Sequence, residues 1–380
     1  MADQSFGAGR AMGGVGYGLR SNKGINPMNP ASYTSIDSLT FLFDFGVAGQ
    51  MSWFNDGLNK EKHLNGNLEY IALQFPVSRR LALSAGLLPF SYVGYNYSTT
   101  STTDGLTSTT LYTGTGGLSE IYVGGAFDIW KKRLSLGANV GYLFGANNYQ
   151  QTLSISSTGA SSPTRVQSLS VSDLKLDFGL QYTHPLSLTK SLVFGLAYSP
   201  AKRLHTTSSD ITTVAAGSTS ELDTLSLSKN HAFDLPNTYG FGFSFVNRNK
   251  LTVAADVRYQ TWKNARFFDE KDEFKNLLRL GGGIEYIPAY VGENYLHKVR
   301  YRAGLHYSNS YLKIKGASYD EWGAGIGLGL PLMDNRSLLN IGLEYVNVHP
   351  DAPTLIREQY FRISVNYTFN ERWFFKFKVD

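Results

Sequence analysis

Apolar and polar residues alternate along most of this chain, and residues 360–369 show the pattern clearly. Phe361 and Ile363 share one parity, whereas Arg362 and Ser364 share the other. Strand side chains point to opposite faces with a period of two, so such a segment predicts a strand with one apolar and one polar face. A soluble sandwich would bury the apolar face, whereas a membrane barrel turns it to lipid and keeps its polar face in the lumen.

Similar alternation recurs in segments 133–144, 173–182, 239–245, 251–260, 299–307 and 339–345. Such segments reach the ~9–11 residues that a tilted strand needs to cross a bilayer. Short connections fall near 76–80, 131–133, 185–190, 247–250, 288–298 and 331–336. Long connections fall near 55–66, 98–117, 148–166, 206–236, 262–275, 309–319 and 348–358. Short periplasmic turns that alternate with long extracellular loops are typical of outer-membrane barrels. We therefore predict an all-β fold, a monomeric antiparallel transmembrane barrel of about fourteen strands with both chain ends on the periplasmic side.

Composition supports a membrane barrel and excludes several other classes. Only 17% of the 380 residues are charged, below the quarter that is usual in soluble proteins. No apolar run approaches the ~18–20 residues of a transmembrane helix, and the absence of cysteine excludes disulfides and thiolate chemistry. The net charge of +5 is too diffuse to predict a nucleic-acid partner. Residues 1–4 lack the features of a secretory signal, so we expect a mature chain whose signal peptide has been removed.

No catalytic or metal-binding pattern is present. The seven histidines form no ligand pair at strand or helix spacing, so we predict no metal and no cofactor. A barrel enzyme with a Ser–His pair remains an alternative that no motif supports, and we predict that the protein is not an enzyme.

The chain divides into three parts. Residues 1–38 are glycine-rich and irregular, residues 39–369 carry the strand pattern, and residues 370–380 form an aromatic and basic tail. The first part lacks the preceding strand and the βαβ context of a dinucleotide fingerprint. We predict that it is a plug (hatch) in the lumen.

Several patches in a fixed order resemble the FadL/TodX family of outer-membrane transporters for hydrophobic compounds. They are Asn29-Pro30-Ala31, the segment 233–236 followed by strand 251–262, and the segments 279–286 and 301–307. The resemblance extends to about Phe369. It implies a fourteen-stranded barrel, plugged by a segment that contains Asn29, Pro30 and Ala31, which passes hydrophobic small molecules sideways through its wall. Some members serve instead in secretion or assembly machinery. The tail departs from the family pattern and resembles Bacteroidota members.

Three groups of barrel residues are candidate sites. Pro89, between Gly86 and Gly94, forces a bulge or local opening in the third strand. It marks either a lateral gate or tolerated curvature. Inward glycines leave room for the plug backbone or simply suit a curved wall; they are Gly281, Gly283, Gly323, Gly325, Gly327 and Gly329. The many inward charges, among them Asp256, Glu285 and Glu344, form an ion-pair network, or else Arg300 or Arg302 binds a ligand carboxylate.

The leading functional prediction is an outer-membrane channel for passive uptake of long-chain fatty acid-like or aromatic compounds. The rival is an accessory barrel in a multiprotein secretion or assembly machine, with partners bound through Trp373, Phe375 and Phe377. An open hydrophilic porin is a third reading, which the predicted plug disfavours. Outer-membrane lipid is an expected partner in every case.

Overall fold

The structure, a computed structural model, describes residues 5–372 except 56, 58–59, 104, 158–161, 217–218, 227–229, 249, 269–273, 290–293, 314–315, 333–335 and 353–354. Strands dominate it. The first nine are β1 Thr40–Asn55, β2 Lys60–Pro76, β3 Leu81–Thr103, β4 Leu106–Trp130, β5 Leu134–Ile155, β6 Ser162–Pro185, β7 Lys190–Ser199, β8 Lys202–Arg203 and β9 Thr206–Ala216. The others are β10 Thr219–Ser226, β11 Asp234–Leu235, β12 Thr238–Asn247, β13 Leu251–Gln260, β14 Leu277–Tyr286, β15 Arg300–Asn309, β16 Tyr319–Pro331, β17 Leu338–Pro350 and β18 Arg357–Arg372.

Fourteen of these strands close into one antiparallel barrel, which confirms the predicted fold class. The barrel strands are β1–β7 and β12–β18, each paired with its neighbours in that order. The first and last strands close the ring, with Thr40 opposite Arg372 and Asn55 opposite Arg357. β7 pairs with both β6 and β12. The hairpin β9–β10 extends β6, and β8 pairs with β11 in a separate two-stranded sheet.

The two rims of the barrel differ. Six connections at one rim link β2–β3, β4–β5, β6–β7, β12–β13, β14–β15 and β16–β17, and we call this the short-turn rim. Outward side chains along the wall are apolar and exposed, such as Phe45, Val123 and Ile326. The inward parity is polar or small, so the alternation in the sequence corresponds to a lipid-facing and a lumen-facing surface.

Four predicted long loops are largely strand. Strands β2 to β6 continue their ladders well beyond the barrel wall and include residues 60–66, 98–103, 106–117, 148–155 and 162–166. The predicted loop at 206–236 contains the hairpin β9–β10. Thr103 still lies opposite Leu106. The serine- and threonine-rich composition suggested solvated loops, but threonine and tyrosine are good strand formers when a neighbouring strand is already in place.

The residues before β1 contain little regular structure. A helix, α1, spans Gly7–Ala11, and a 3-10 helix spans Pro30–Ser35. A second 3-10 helix covers Trp262–Asn264, and α2 covers Tyr295–Lys298. No helix among the residues listed above is long and apolar enough to cross a membrane.

Candidate functional site

The barrel wall has an unpaired seam between β2 and β3. Their pairing runs from Pro76 opposite Ala82 to Ile71 opposite Leu87 and ends there, although both strands continue. Residues 60–70 of β2 keep only β1 as a neighbour, and residues 88–103 of β3 keep only β4. We call these two edges the β2–β3 seam. The Tyr92 hydroxyl reaches the Leu68 carbonyl oxygen across it at 3.5 Å.

A bulge in β3 lies where the seam begins. The β3–β4 register shifts between Pro89 and Ser91, and the additional residue, Phe90, is 2% exposed. Proline donates no ladder hydrogen bond, so a bulge with one free edge suits it. Of the predicted gate residues, Gly86 lies in the last paired stretch, Pro89 at the bulge and Gly94 on the free edge.

Apolar side chains stand behind the seam. Phe90 belongs to a buried cluster with Leu118, Leu143 and Leu169, together with Leu204 from the connection after β7. The inner side of the bulge is therefore apolar around Phe90, and the Lys175 amine lies over the Phe90 ring at 5.8 Å.

A second apolar cluster lies among the long connections. Trp262 is 1% exposed and stacks on Tyr311, with ring centroids 4.7 Å apart. Phe274 and Phe267 pack around the same group. Burial raises the pKa of Tyr311 to about 12, so its phenol stays neutral.

The segment before β1 contacts inward groups from several sides of the barrel. The Asn29 side chain is fully buried and donates to the carbonyl oxygens of Tyr17 (2.9 Å), Leu180 and Leu196 (both 3.2 Å). Its oxygen accepts from the Ala31 amide at 3.2 Å, and Pro30 begins the 3-10 helix. The Asn-Pro-Ala patch thus joins this segment to β6 and β7.

Asp256 of β13 holds another part of the segment. Its carboxylate accepts from the backbone amides of Gly16 at 2.5 Å and Tyr17 at 2.8 Å. On the opposite side, the Tyr33 hydroxyl donates to Asn139 of β5 at 2.9 Å. Charge-assisted bonds to backbone amides are among the stronger hydrogen bonds, so both halves of the segment are fixed.

The six glycines predicted to form a wall differ in what their inner sides meet. A Cβ added at Gly281 would lie 2.6 Å from the Gly13 oxygen, and one at Gly283 2.5 Å from the Met12 oxygen. One at Gly327 would lie 2.5 Å from the Ala11 Cβ, whereas Gly325 leaves ordinary contact distances. The nearest atoms at Gly323 and Gly329 belong to strand side chains, including those of His306 and Arg302.

Three inward glycines on the other side of the barrel were not among the predicted wall residues. A Cβ at Gly137 would meet the Pro30 backbone, one at Gly179 the Asn29 and Pro30 side chains, and one at Gly195 the Tyr17 carbonyl oxygen. The available signal was the inward parity of each glycine within its strand. Close backbone approach requires these positions to lack a side chain.

The inward charges are largely paired. Arg302 binds Glu285 at 2.7 Å and Asn340 at 2.7 Å, and its side chain is 2% exposed. Arg300 binds the same carboxylate at 3.0 Å. A ligand carboxylate at either arginine would have to compete with Glu285, so head-group recognition there stays a prediction.

Two further ionic clusters stand inside the wall. Lys175 lies 3.1 Å from Glu120 and 2.8 Å from Asp177. The other cluster joins His306, Arg279, Arg362, Glu321 and Glu344. Within the described ranges, no three acidic or histidine side chains are grouped to hold a metal ion. Trp373, Phe375 and Phe377 lie outside those ranges.

Three solved structures share the fold of this chain. The toluene transporter TbuX of Ralstonia pickettii has a TM-score of 0.64 at 17% identity, over 97% of this chain and 99% of its own. The toluene transporter TodX of P. putida has a TM-score of 0.63 at 14% identity, over 99% and 100%. A Pseudomonas aeruginosa FadL homologue has a TM-score of 0.59 at 13% identity, over 96% and 98%. At these identities the similarity establishes the fold.

A comparison with curated protein sequences finds no match. A family profile, described as BamG, matches residues 3–380. Because that match covers nearly the whole sequence, the chain belongs to the BamG family.

Proposed function

We propose that the protein is a bacterial outer-membrane channel, without cofactor or catalysis, that passes hydrophobic small molecules through its side wall. The observation that carries the proposal is the β2–β3 seam: pairing stops at Ile71 and Leu87 while both strands continue. An open edge exposes unpaired backbone groups, which natural sheets usually cover or avoid. The unpaired stretch in an otherwise closed barrel therefore supports a functional role for the seam.

Residues before 39 act as the plug in this proposal. Their hydrogen bonds to Asp256, Asn139 and the β6–β7 carbonyls support a fixed position in the lumen. Because this segment and paired charges fill the lumen, a straight aqueous path is disfavoured. The apolar cluster around Phe90 supports a route that bends sideways to the seam.

Two of the solved structures named above support the class of molecule. TbuX and TodX are described as toluene transporters. The apolar character of the cluster around Phe90 supports an aromatic or fatty acid-like compound. Gly86, Pro89 and Gly94 would then form the lateral gate, with the bulge at Pro89 at the end of the seam nearer the short-turn rim.

Joining the two edges of the seam should block transfer. The chain has no cysteine, so the pair Leu68→Cys and Tyr92→Cys can be joined specifically by a short bismaleimide. We expect cross-linking to slow uptake of a naphthylamine membrane probe into Gram-negative cells at least about tenfold, equivalent to ~1.4 kcal/mol in the barrier. The cells should lack their own transporter of this fold.

The matched control is the pair Leu280→Cys and Tyr307→Cys, which are exposed and lie directly opposite each other on the β14–β15 ladder, away from the seam. Cross-linking this pair should leave uptake unchanged. If joining residues 68 and 92 also leaves uptake unchanged, molecules do not leave through the seam.

An accessory role in a multiprotein outer-membrane machine is the second candidate. Its supporting observation is the rigid, ion-paired interior, with Lys175 held between Glu120 and Asp177. An oily conduit has no need of such pairs.

In this second role, Trp373, Phe375 and Phe377 would dock on a periplasmic partner. Deleting residues 373–380 should then release a stoichiometric partner during mild solubilisation while the barrel still assembles. Retention of every partner by the shortened chain would remove the docking role of the tail.

A further inference from the structure

One half of the short-turn rim carries only positive charge. The turn at residues 77–80 contributes Arg79 and Arg80, and the turn at 131–133 contributes Lys131, Lys132 and Arg133. All five side chains are exposed.

The next two turns around the barrel continue the pattern. Lys190 closes the turn at 186–189, and Arg248 and Lys250 flank the tip at 248–250; all three are exposed. None of the four turns contains aspartate or glutamate. Asp128, just before the second turn, is 4% exposed and accepts from the Lys132 amide at 2.6 Å. We call this set of basic turns the basic arc.

The arc is continuous in space. Barrel order places β2–β3, β4–β5, β6–β7 and β12–β13 side by side. Successive turns lie two strands apart, roughly 10 Å, so the arc covers about 30 Å of rim. The rest of this rim is mixed, since Glu371 and Arg372 lie side by side there at the end of β18.

The basic side chains begin where the lipid-facing surface ends. Phe127, Ile129 and Trp130 point outward, with 47%, 45% and 47% exposure, and Lys131 follows at once. The Arg133 guanidinium lies over the Trp130 ring at 5.5 Å. Tryptophan beside lysine and arginine is the arrangement of a membrane–water interface.

Apolar side chains also stand at the turn tips. Leu188 is 97% exposed, Val77 53% and Leu186 51%. Leucine beside lysine at the edge of an apolar band suits the boundary between acyl chains and head groups. Because the basic side chains lie at this boundary, a lipid is favoured over a water-soluble acidic protein as the molecule that binds them.

We propose that the basic arc binds the phosphodiester head groups of anionic phospholipids, of the phosphatidylglycerol class, in the leaflet around the short-turn rim. Lysine and arginine near an anionic membrane surface attract such lipids. Arginine also binds phosphate with two parallel hydrogen bonds. The arc selects charge rather than acyl chains, and its role is independent of transfer through the seam.

The test uses the full chain in liposomes of equal phosphatidylglycerol and phosphatidylcholine, extracted in mild detergent, with retained lipids counted by native mass spectrometry. One variant combines Arg79→Gln, Arg80→Gln, Arg133→Gln and Lys190→Gln. The matched control neutralises four exposed basic residues at the other end of the barrel: Lys60, Lys62, Lys263 and Arg357, each to glutamine. Mobility of unheated samples on gels shows that each barrel is folded.

We expect the wild type and the control to retain phosphatidylglycerol preferentially. In the arc variant the preference for phosphatidylglycerol over phosphatidylcholine should fall at least about fivefold. That is the change expected when a single basic group at an anionic surface is neutralised. Equal retention of both lipids by the wild type, or the same preference in all three proteins, would overturn the proposal. If lipid retention is equal and only the arc variant loses a periplasmic protein on extraction, the arc binds that protein instead.

Discussion

Replacing Gly283 by leucine is expected to displace the N-terminal segment and open a conducting lumen. The new Cβ would lie 2.5 Å from the Met12 carbonyl oxygen and 2.6 Å from the Met12 Cα. Gly283 cannot retreat, because it is paired with Ala254 on one side and Gly304 on the other. Overpacking typically lowers the free energy of unfolding by about 1–3 kcal/mol. Because the new side chain would meet backbone atoms of Met12, we expect a cost at the upper end of this range. Single-channel conductance in planar bilayers measures the outcome.

The neighbouring residue provides the control. Gly282 faces the opposite way, and a Cβ there would meet nothing closer than the Ala254 oxygen at 3.7 Å. Gly282→Leu should keep the conductance of the wild type. If Gly283→Leu also conducts like the wild type and unfolds at the same temperature, the segment does not depend on this wall for its position.

The barrel was predictable because a period-two alternation reports directly on which face each side chain occupies. Parity in the sequence correctly placed Asp256, Glu285 and Arg302 inside the wall. It could not identify their partners. Arg302 pairs with Glu285 because the register places the two residues opposite each other on β14 and β15. The register depends on the number of residues in each turn.

The extent of the seam was not predictable either. Pro89 signalled an irregularity, but the unpaired stretch also requires β2 to continue without a second neighbour. Residues 60–68 are mostly polar and read equally well as a loop. Pairing with β1 makes them strand, through contacts such as Asn65 with Gln50. A tertiary contact thus overrode the local preference.

The contacts of the N-terminal segment were not predictable from its sequence either. Its glycine-rich sequence predicted irregular backbone, and the resemblance implied that Asn29, Pro30 and Ala31 belong to a plug. Which wall it meets depends on a chain path without any periodicity. Parity marks Gly281, Gly283, Gly137 and Gly195 alike as inward, but it could not show which of them the segment approaches.

Removing Glu69 is expected to be among the most destabilising single changes at the wall. Its side chain is 5% exposed, forms an ion pair with Arg10 of α1 and accepts from Asn366 at 3.2 Å. Phe6 stacks on Tyr70 beside this pair, with ring centroids 3.6 Å apart. Breaking a buried ion pair costs about 3–5 kcal/mol, because the remaining charge loses its carboxylate without regaining water. Glu69→Ala should therefore lower the urea midpoint for loss of folded-barrel mobility and expose the bond after Arg10 to trypsin.

Glu61→Ala on the same strand is the matched control. Glu61 and His63 are 67% and 55% exposed, and exposed pairs contribute about 0–1 kcal/mol. Combining Arg10→Leu with Glu69→Leu tests the cause, because replacing both partners by apolar residues is often neutral. We expect the double variant to recover most of the lost stability. Equal urea midpoints for Glu69→Ala and Glu61→Ala would show that the Arg10–Glu69 pair does not anchor the N-terminal segment to β2.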